Sequence, residues 1–173
     1  MANEIQIDAF PPAKMASRME EVGVTKAGLN TWTMFALAML AGAFIGTGAI
    51  FCTVVTTGLA AAGVGYGIVK LLGGLVFCLG LIAVVVAGAE LFTGNNLIVM
   101  AFASGKVNLG GLLRNWVTVY VGNFVGSILT AFVMLLSKQY MSSGGALGAN
   151  ALGIAKCQVQ SGFRPGYRSG HHV

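Results

Sequence analysis

Nine consecutive residues, Gly88-Ala89-Glu90-Leu91-Phe92-Thr93-Gly94-Asn95-Asn96, hold the groups best suited to chemistry. They interrupt an apolar run over 68–103 that is too long for one membrane span and too short for two. Lipid cannot satisfy exposed backbone groups at that depth, so a broken helix lining a protein cavity is the natural reading. Breaking a helix there frees N–H groups whose positive dipole end can face an anion, and Thr93 adds a neutral hydroxyl donor. Neutral donors suit an ion that must leave as readily as it enters, whereas a fixed lysine would hold it. Glu90 would repel an anion and is read as pairing with donors near the break, or as carrying a proton. Leu91 and Phe92 beside the loop, with Phe77 and Leu81 earlier in the run, form either apolar constrictions or ordinary packing. The plain alternative for the whole segment is a kink whose polar groups satisfy one another.

Other candidates are weaker. Gly63-Val64-Gly65-Tyr66-Gly67 has the look of a potassium-channel filter, but no threonine or short pore helix precedes it, and it is read as a flexible turn. Cys52 and Cys78 lie in apolar runs and Cys157 near the end, with no CxxC pair, and His171-His172 make a poor metal pair. No Ser/His/Asp, Cys/His or paired-carboxylate arrangement exists, so neither enzymatic chemistry nor a metal or cofactor site is expected.

The elements that would position the break follow from composition. Hydrophobic residues are 56% of the 173 and charged ones 9%, with mean hydropathy +0.82, which leaves no polar skin for a water-soluble domain and makes the bilayer the solvent. The net charge of +5 is scattered over joints rather than striped among aromatics, which argues against nucleic acid as a partner. Residues 1–31 are polar, contain Pro11 and Pro12, and read as an amphipathic segment on the membrane surface, with Met15, Met19 and Val22 on its apolar face. A transmembrane domain over 32–137 follows, with spans at about 32–58, 68–103 (broken at 88–96) and 109–136. Trp32 and Trp116 suit the interfaces, and Gly42/Gly46 and Gly122/Gly126 form GxxxG pairs that permit close helix approach. Five Lys and Arg residues precede the first span or lie between the second and third, against Lys70 and Lys138 on the other side, which places the N-terminus in the cytoplasm. Residues 138–173 then read as an extracytoplasmic loop and a polar tail.

Lys70-Leu71-Leu72-Gly73-Gly74, Phe77 through Leu81, Glu90-Leu91-Phe92-Thr93 and the stretch from Asn115-Trp116 to Gly126 resemble the formate/nitrite transporter (FocA-like) family over about residues 10–152. The resemblance implies an all-α membrane fold of six spans in two inverted repeats, arranged as in aquaporins, with one pore per protomer of a homopentamer. It implies a channel or proton-coupled transporter for small monovalent anions such as formate, nitrite or hydrosulfide, in a bacterial or archaeal inner membrane. Thr93 matches the family's pore-centre threonine, Leu91 and Phe92 its slit, and Phe77 and Leu81 its apolar constriction. Lys26 matches an N-terminal lysine that attracts anions near the mouth, and Asn123 lies in a motif with a less defined, pore-facing role. The chain departs from the family in length, since the fifth span and its pore-centre histidine have no counterpart, and Lys156 to Arg164 is polar where a fourth span is expected. A one-base frame change near Ala155, and hence truncation to one repeat, is the expectation. The rival readings are a non-conducting fragment that associates through its GxxxG faces and a cation channel using Gly63 to Gly67.

Overall fold

A computed structural model describes residues 10–163, and every regular element among them is helical. In chain order they are α1 (Pro12–Ala27), α2 (Thr31–Thr56), α3 (Tyr66–Val86), α4 (Phe92–Asn95), α5 (Ile98–Ala103), α6 (Leu109–Leu136), a 3-10 turn (Gln139–Gly145) and α7 (Ala146–Phe163). Among the described residues, only α2, α3 and α6 are long and apolar enough to cross a membrane; the apolar stretch Phe92–Ala103 is too short.

Local chemistry sets the boundaries. Pro11 and Pro12 open α1, where a missing N–H leaves no helical bond unmade. Asn30 Oδ1 accepts the Trp32 N–H at 2.9 Å to start α2, and Asn108 Oδ1 accepts the Gly111 N–H at 2.7 Å to start α6. The break has a defined stop: Gly88 takes the left-handed conformation (φ +61°), donating to the Val85 carbonyl, while Ala89 donates to that of Val84. Gly105 (φ +70°) repeats this pairing at the end of α5, with bonds to Phe102 and from Lys106 to Ala101. Both are Schellman caps, which only a residue tolerant of positive φ closes without strain. Between them the chain passes extended through Leu91 (φ −103°, ψ 129°) before helix resumes at Phe92.

Beyond Lys138 the sequence reads as loop and polar tail, but α7 continues helically to Phe163. Its alanines and leucines favour helix, and no proline intervenes before Pro165. The end of the polar tail, with His171-His172, lies outside the described residues.

The chain divides into two compact units. The first combines the described residues up to Phe44 with Ala83–Ile128. There α1 packs on α5, with Gly23 so close that an added Cβ would sit 3.0 Å from that of Ala101. Two apolar clusters hold it: Ala27, Ile98 and Leu112 with Val107 and Trp116, and Met34, Ala38 and Val119 with Leu29 and Phe92. The glycines expected to favour close approach are spent between α2 and α6: a Cβ on Gly42 would strike the Asn123 carbonyl, and one on Gly126 that of Met39. These faces are therefore filled from within the chain rather than left open to other helices. A clasp also joins α1 to the turn after α5, where Glu20 accepts from Lys106 Nζ at 2.5 Å and Ser104 Oγ at 2.6 Å. Those bonds, that from Lys106 foremost, hold the Glu20 carboxyl below the usual glutamate value.

The second unit combines Ile45–Ile82 with the described residues from Leu129 onward. Gly48 lets α2 approach the Phe77 carbonyl of α3, and Asn150 Nδ2 of α7 donates to the Thr53 carbonyl and to the Thr56 and Thr57 hydroxyl oxygens at 3.0–3.2 Å.

Two expectations follow. Gly126→Leu forces backbone apart and should cost at least about 1–3 kcal/mol, read as a lowered unfolding midpoint in detergent, whereas Gly94→Ala, with open space around it, should cost far less; equal losses would contradict the α2–α6 packing. Because the folded value of Glu20 is depressed, the clasp is complete above the ordinary glutamate value of about 4.3 and is lost as pH falls through the lower folded value. Amide exchange in α1, corrected for intrinsic rates, should therefore accelerate below that range in the parent chain, and Glu20→Gln should abolish this extra pH dependence.

Candidate functional site

At the break, backbone chemistry and buried charge must be settled together. Glu90 is 4% exposed, and Asn95 and Asn115 are fully buried. Lys26 Nζ, reaching in from the last turn of α1, donates to Glu90 Oε1 at 2.7 Å and Asn95 Oδ1 at 3.0 Å. Asn95 Nδ2 donates in turn to Glu90 Oε2 (2.7 Å) and Asn115 Oδ1 (2.8 Å), and Asn115 Nδ2 returns to the Lys26 carbonyl at 3.2 Å. The ring of bonds closes on itself, and no buried side-chain polar atom among the described residues lacks a partner. The flanking residues of α6 extend the grip. Trp116 Nε1 donates to the Asn95 carbonyl at 3.0 Å, and Arg114 Nη2 donates to the carbonyls of Ala27 and Leu29 at the end of α1.

Asn123, one of the residues expected to face a pore, spends both ends of its amide on backbone. Its Nδ2 donates to the carbonyls of Ala38 (2.8 Å) and Glu90 (2.9 Å), and its Oδ1 accepts the Phe92 N–H at 2.9 Å. Glu90 N–H meanwhile reaches the Leu37 carbonyl at 3.3 Å. The N–H groups of Thr93 and Gly94 and the Thr93 hydroxyl have no partner among the described residues, and both residues are exposed. The opening of the Phe92–Ala103 stretch thus presents two adjacent amides and a hydroxyl, all neutral donors, while the nearby charges of Lys26 and Glu90 cancel in a 2.7 Å pair. Such a group can bind an anion without a fixed positive charge.

Of the residues singled out from sequence, Lys26, Leu91, Phe92, Thr93 and Asn123 come together in the first unit. Leu91 and Phe92 are half-buried at the start of the resumed helix. Phe77 and Leu81 belong to α3 in the second unit, 38% and 49% exposed. Gly63 to Gly67 lie around the start of α3, where an added Cβ on any of the three glycines meets nothing within 4 Å. Sequence reasoning gave no individual role to Asn95, which lies in the interruption it singled out, or to Arg114 and Asn115. The available signal was an uncharged amide or a cation inside an apolar span, where an unpaired polar group is costly.

The family model described as formate/nitrite transporter matches residues 13–167. The chain is 44% identical over 156 residues to the formate channel FocA of Escherichia coli K12, covering 90% of this chain and 54% of that protein. It is 36% identical over 152 residues to a probable formate transporter of Methanothermobacter thermautotrophicus, covering 87% and 55%. A solved pentameric formate channel with formate bound superposes with TM-score 0.68 at 51% identity, over 73% of this chain and 49% of that one. The chain spans about half the length of the curated relatives it matches.

Removing one member of the buried pair leaves the other charge stranded. Lys26→Met should cost about 3–5 kcal/mol, read as a lowered unfolding midpoint, and adding Glu90→Gln should recover much of that loss. A double variant no more stable than Lys26→Met would refute the pairing.

Proposed function

This chain belongs to the formate/nitrite transporter family, and from that premise we propose that the whole protein is a channel for small monovalent anions, with formate the first candidate and nitrite and hydrosulfide of the same class. The observation that carries this reading is the donor set at the break, in which Thr93 N–H, Gly94 N–H and the Thr93 hydroxyl are unpartnered while every buried polar side chain around them is satisfied.

In this reading the anion loses part of its water shell against Thr93 and gains three neutral hydrogen bonds. Leu91 and Phe92 form the apolar slit beside it, and Phe77 and Leu81 a further constriction on α3. Lys26 contributes through its pair with Glu90: it neutralises the carboxylate that would otherwise repel the anion. The three spans here are one repeat of two, the second inverted and carrying the histidine that handles the proton. The assembly is a homopentamer in the inner membrane with α1 on the cytoplasmic side, as the distribution of Lys and Arg supports. The relatives are channels and transporters rather than enzymes.

The test is formate and nitrite uptake into proteoliposomes by the 173-residue chain beside a form extended to the relatives' length. The extended form is expected to transport, with Thr93→Ala lowering flux about tenfold, in keeping with loss of one donor to a charged ligand, and Thr93→Ser retaining most of it. Unchanged flux in Thr93→Ala would sink the donor assignment. Equal transport by the short chain would show that one repeat builds a pore from its own copies.

A further inference from the structure

Phe92 is held at both its backbone and its ring by one stripe of α6. Asn123 Oδ1 takes its N–H at 2.9 Å. Its ring meets Tyr120 edge-on, with centroids 5.4 Å apart and planes at 77°, and Trp116 at 6.4 Å and 69°. Residues 116, 120 and 123 recur at i, i+4 and i+7, so they lie along one face of the helix. Phe92 also packs on the cluster of Met34, Ala38 and Val119. Trp116 is itself fixed by its bond to the Asn95 carbonyl and by the neighbouring apolar cluster. Tyr120 is different: it is 60% exposed, and core packing does not account for its place against Phe92.

We propose that Trp116, Tyr120 and Asn123 are positioning residues that fix the Phe92 ring beside Thr93 and so set which anions pass by size. This rests on the channel reading above, in which Phe92 is a slit residue. The physics is a choice of ring position. A half-buried phenylalanine with only an apolar cluster behind it has alternative positions, whereas edge-to-face contacts with two aromatic rings favour one of them. Holding the N–H of the same residue prevents the loop from following the ring if it swings. A slit whose edge is held on two sides discriminates by size; one held only by apolar contact adapts to larger anions. Asn123 has a second effect, since by occupying the Phe92 N–H it confines the free donors to Thr93 and Gly94.

The experiment uses the full-length channel in proteoliposomes and compares the acetate-to-formate uptake ratio of the parent with Tyr120→Ala, Tyr120→Phe and Asn123→Ala. Removing one aromatic contact should raise the ratio about 3- to 10-fold in Tyr120→Ala, and Tyr120→Phe, which keeps the ring, should restore it. Asn123→Ala should raise the half-saturating formate concentration more than it changes maximal flux, because it alters the donor set rather than the passage. A merely structural role would lower maximal flux for both anions and leave the ratio alone.

A second readout is independent of transport. In a Thr93→Cys chain with Cys52, Cys78 and Cys157 changed to serine, the rate of modification by a small anionic methanethiosulfonate should rise several-fold on adding Tyr120→Ala. An unchanged rate overturns the proposal whether or not the parent transports. A raised rate in a parent that carries no formate would uphold the positioning of the loop and refute the channel reading instead. An unchanged ratio in a transporting parent would refute the size control and leave that reading intact.

Discussion

A helix that stops and restarts in apolar surroundings leaves backbone groups that no solvent will satisfy, and each one left unpaired costs roughly 2–7 kcal/mol. Much of the first unit follows from that constraint. The interruption between Val86 and Phe92 is closed first by its own glycine cap, which satisfies the Val84 and Val85 carbonyls locally. What remains is taken up from outside the segment: Leu37 accepts the Glu90 N–H, and Asn123 bridges the Glu90 carbonyl and the Phe92 N–H. A single asparagine amide spans the gap because it carries a donor and an acceptor on one rigid plane, which no apolar residue and no carboxylate provides.

The buried charge is settled by the same economy of parts. The Glu90 carboxylate accepts from Lys26 and Asn95, Asn115 links those two to each other, and the consecutive α6 residues Arg114, Asn115 and Trp116 reach three targets: the end of α1, the ring of side chains and the Asn95 carbonyl. Burying an ion pair is poor stabilisation in itself, since desolvation offsets most of the attraction. Its effect here is positional. The end of α1, the break and the start of α6 have one mutually satisfied arrangement, and the loop that carries Thr93 is held by it.

Against that fixed frame, the donors left without partners stand out. Two amides and a hydroxyl at Thr93 and Gly94 are open where every buried polar side chain nearby is bonded. The first N–H groups of a helix have no partner within it, and at Thr93 and Gly94 they are exposed rather than capped. In the proposed channel their neutrality matters, because a charge at the same place would raise the affinity of an anion and slow its departure. The close packing of α2 on α6 through Gly42, Gly122 and Gly126 brings Asn123 within reach of both α2 and the break, so the glycines serve the site as well as the fold.

The sequence by itself determined the solvent, the helical class, the three spans and the site of the break, because hydropathy, helix length and glycine punctuation act within a few residues of one another. It also offered Thr93 as a candidate, whose hydroxyl sits in a segment that apolar surroundings would otherwise exclude. Tertiary structure decided the rest. That Lys26 pairs with Glu90, 64 positions away, and that Asn123 turns inward to backbone depend on how α1, α2 and α6 meet. Asn95 and Asn115 gave no local sign of their partnership, since a buried amide's role is defined by the groups around it. Nor did the polar residues after Lys156 announce that α7 would continue through them. A hydrogen bond is short-ranged and directional, so residues distant in sequence acquire their chemistry only when packing brings their atoms within about 3 Å.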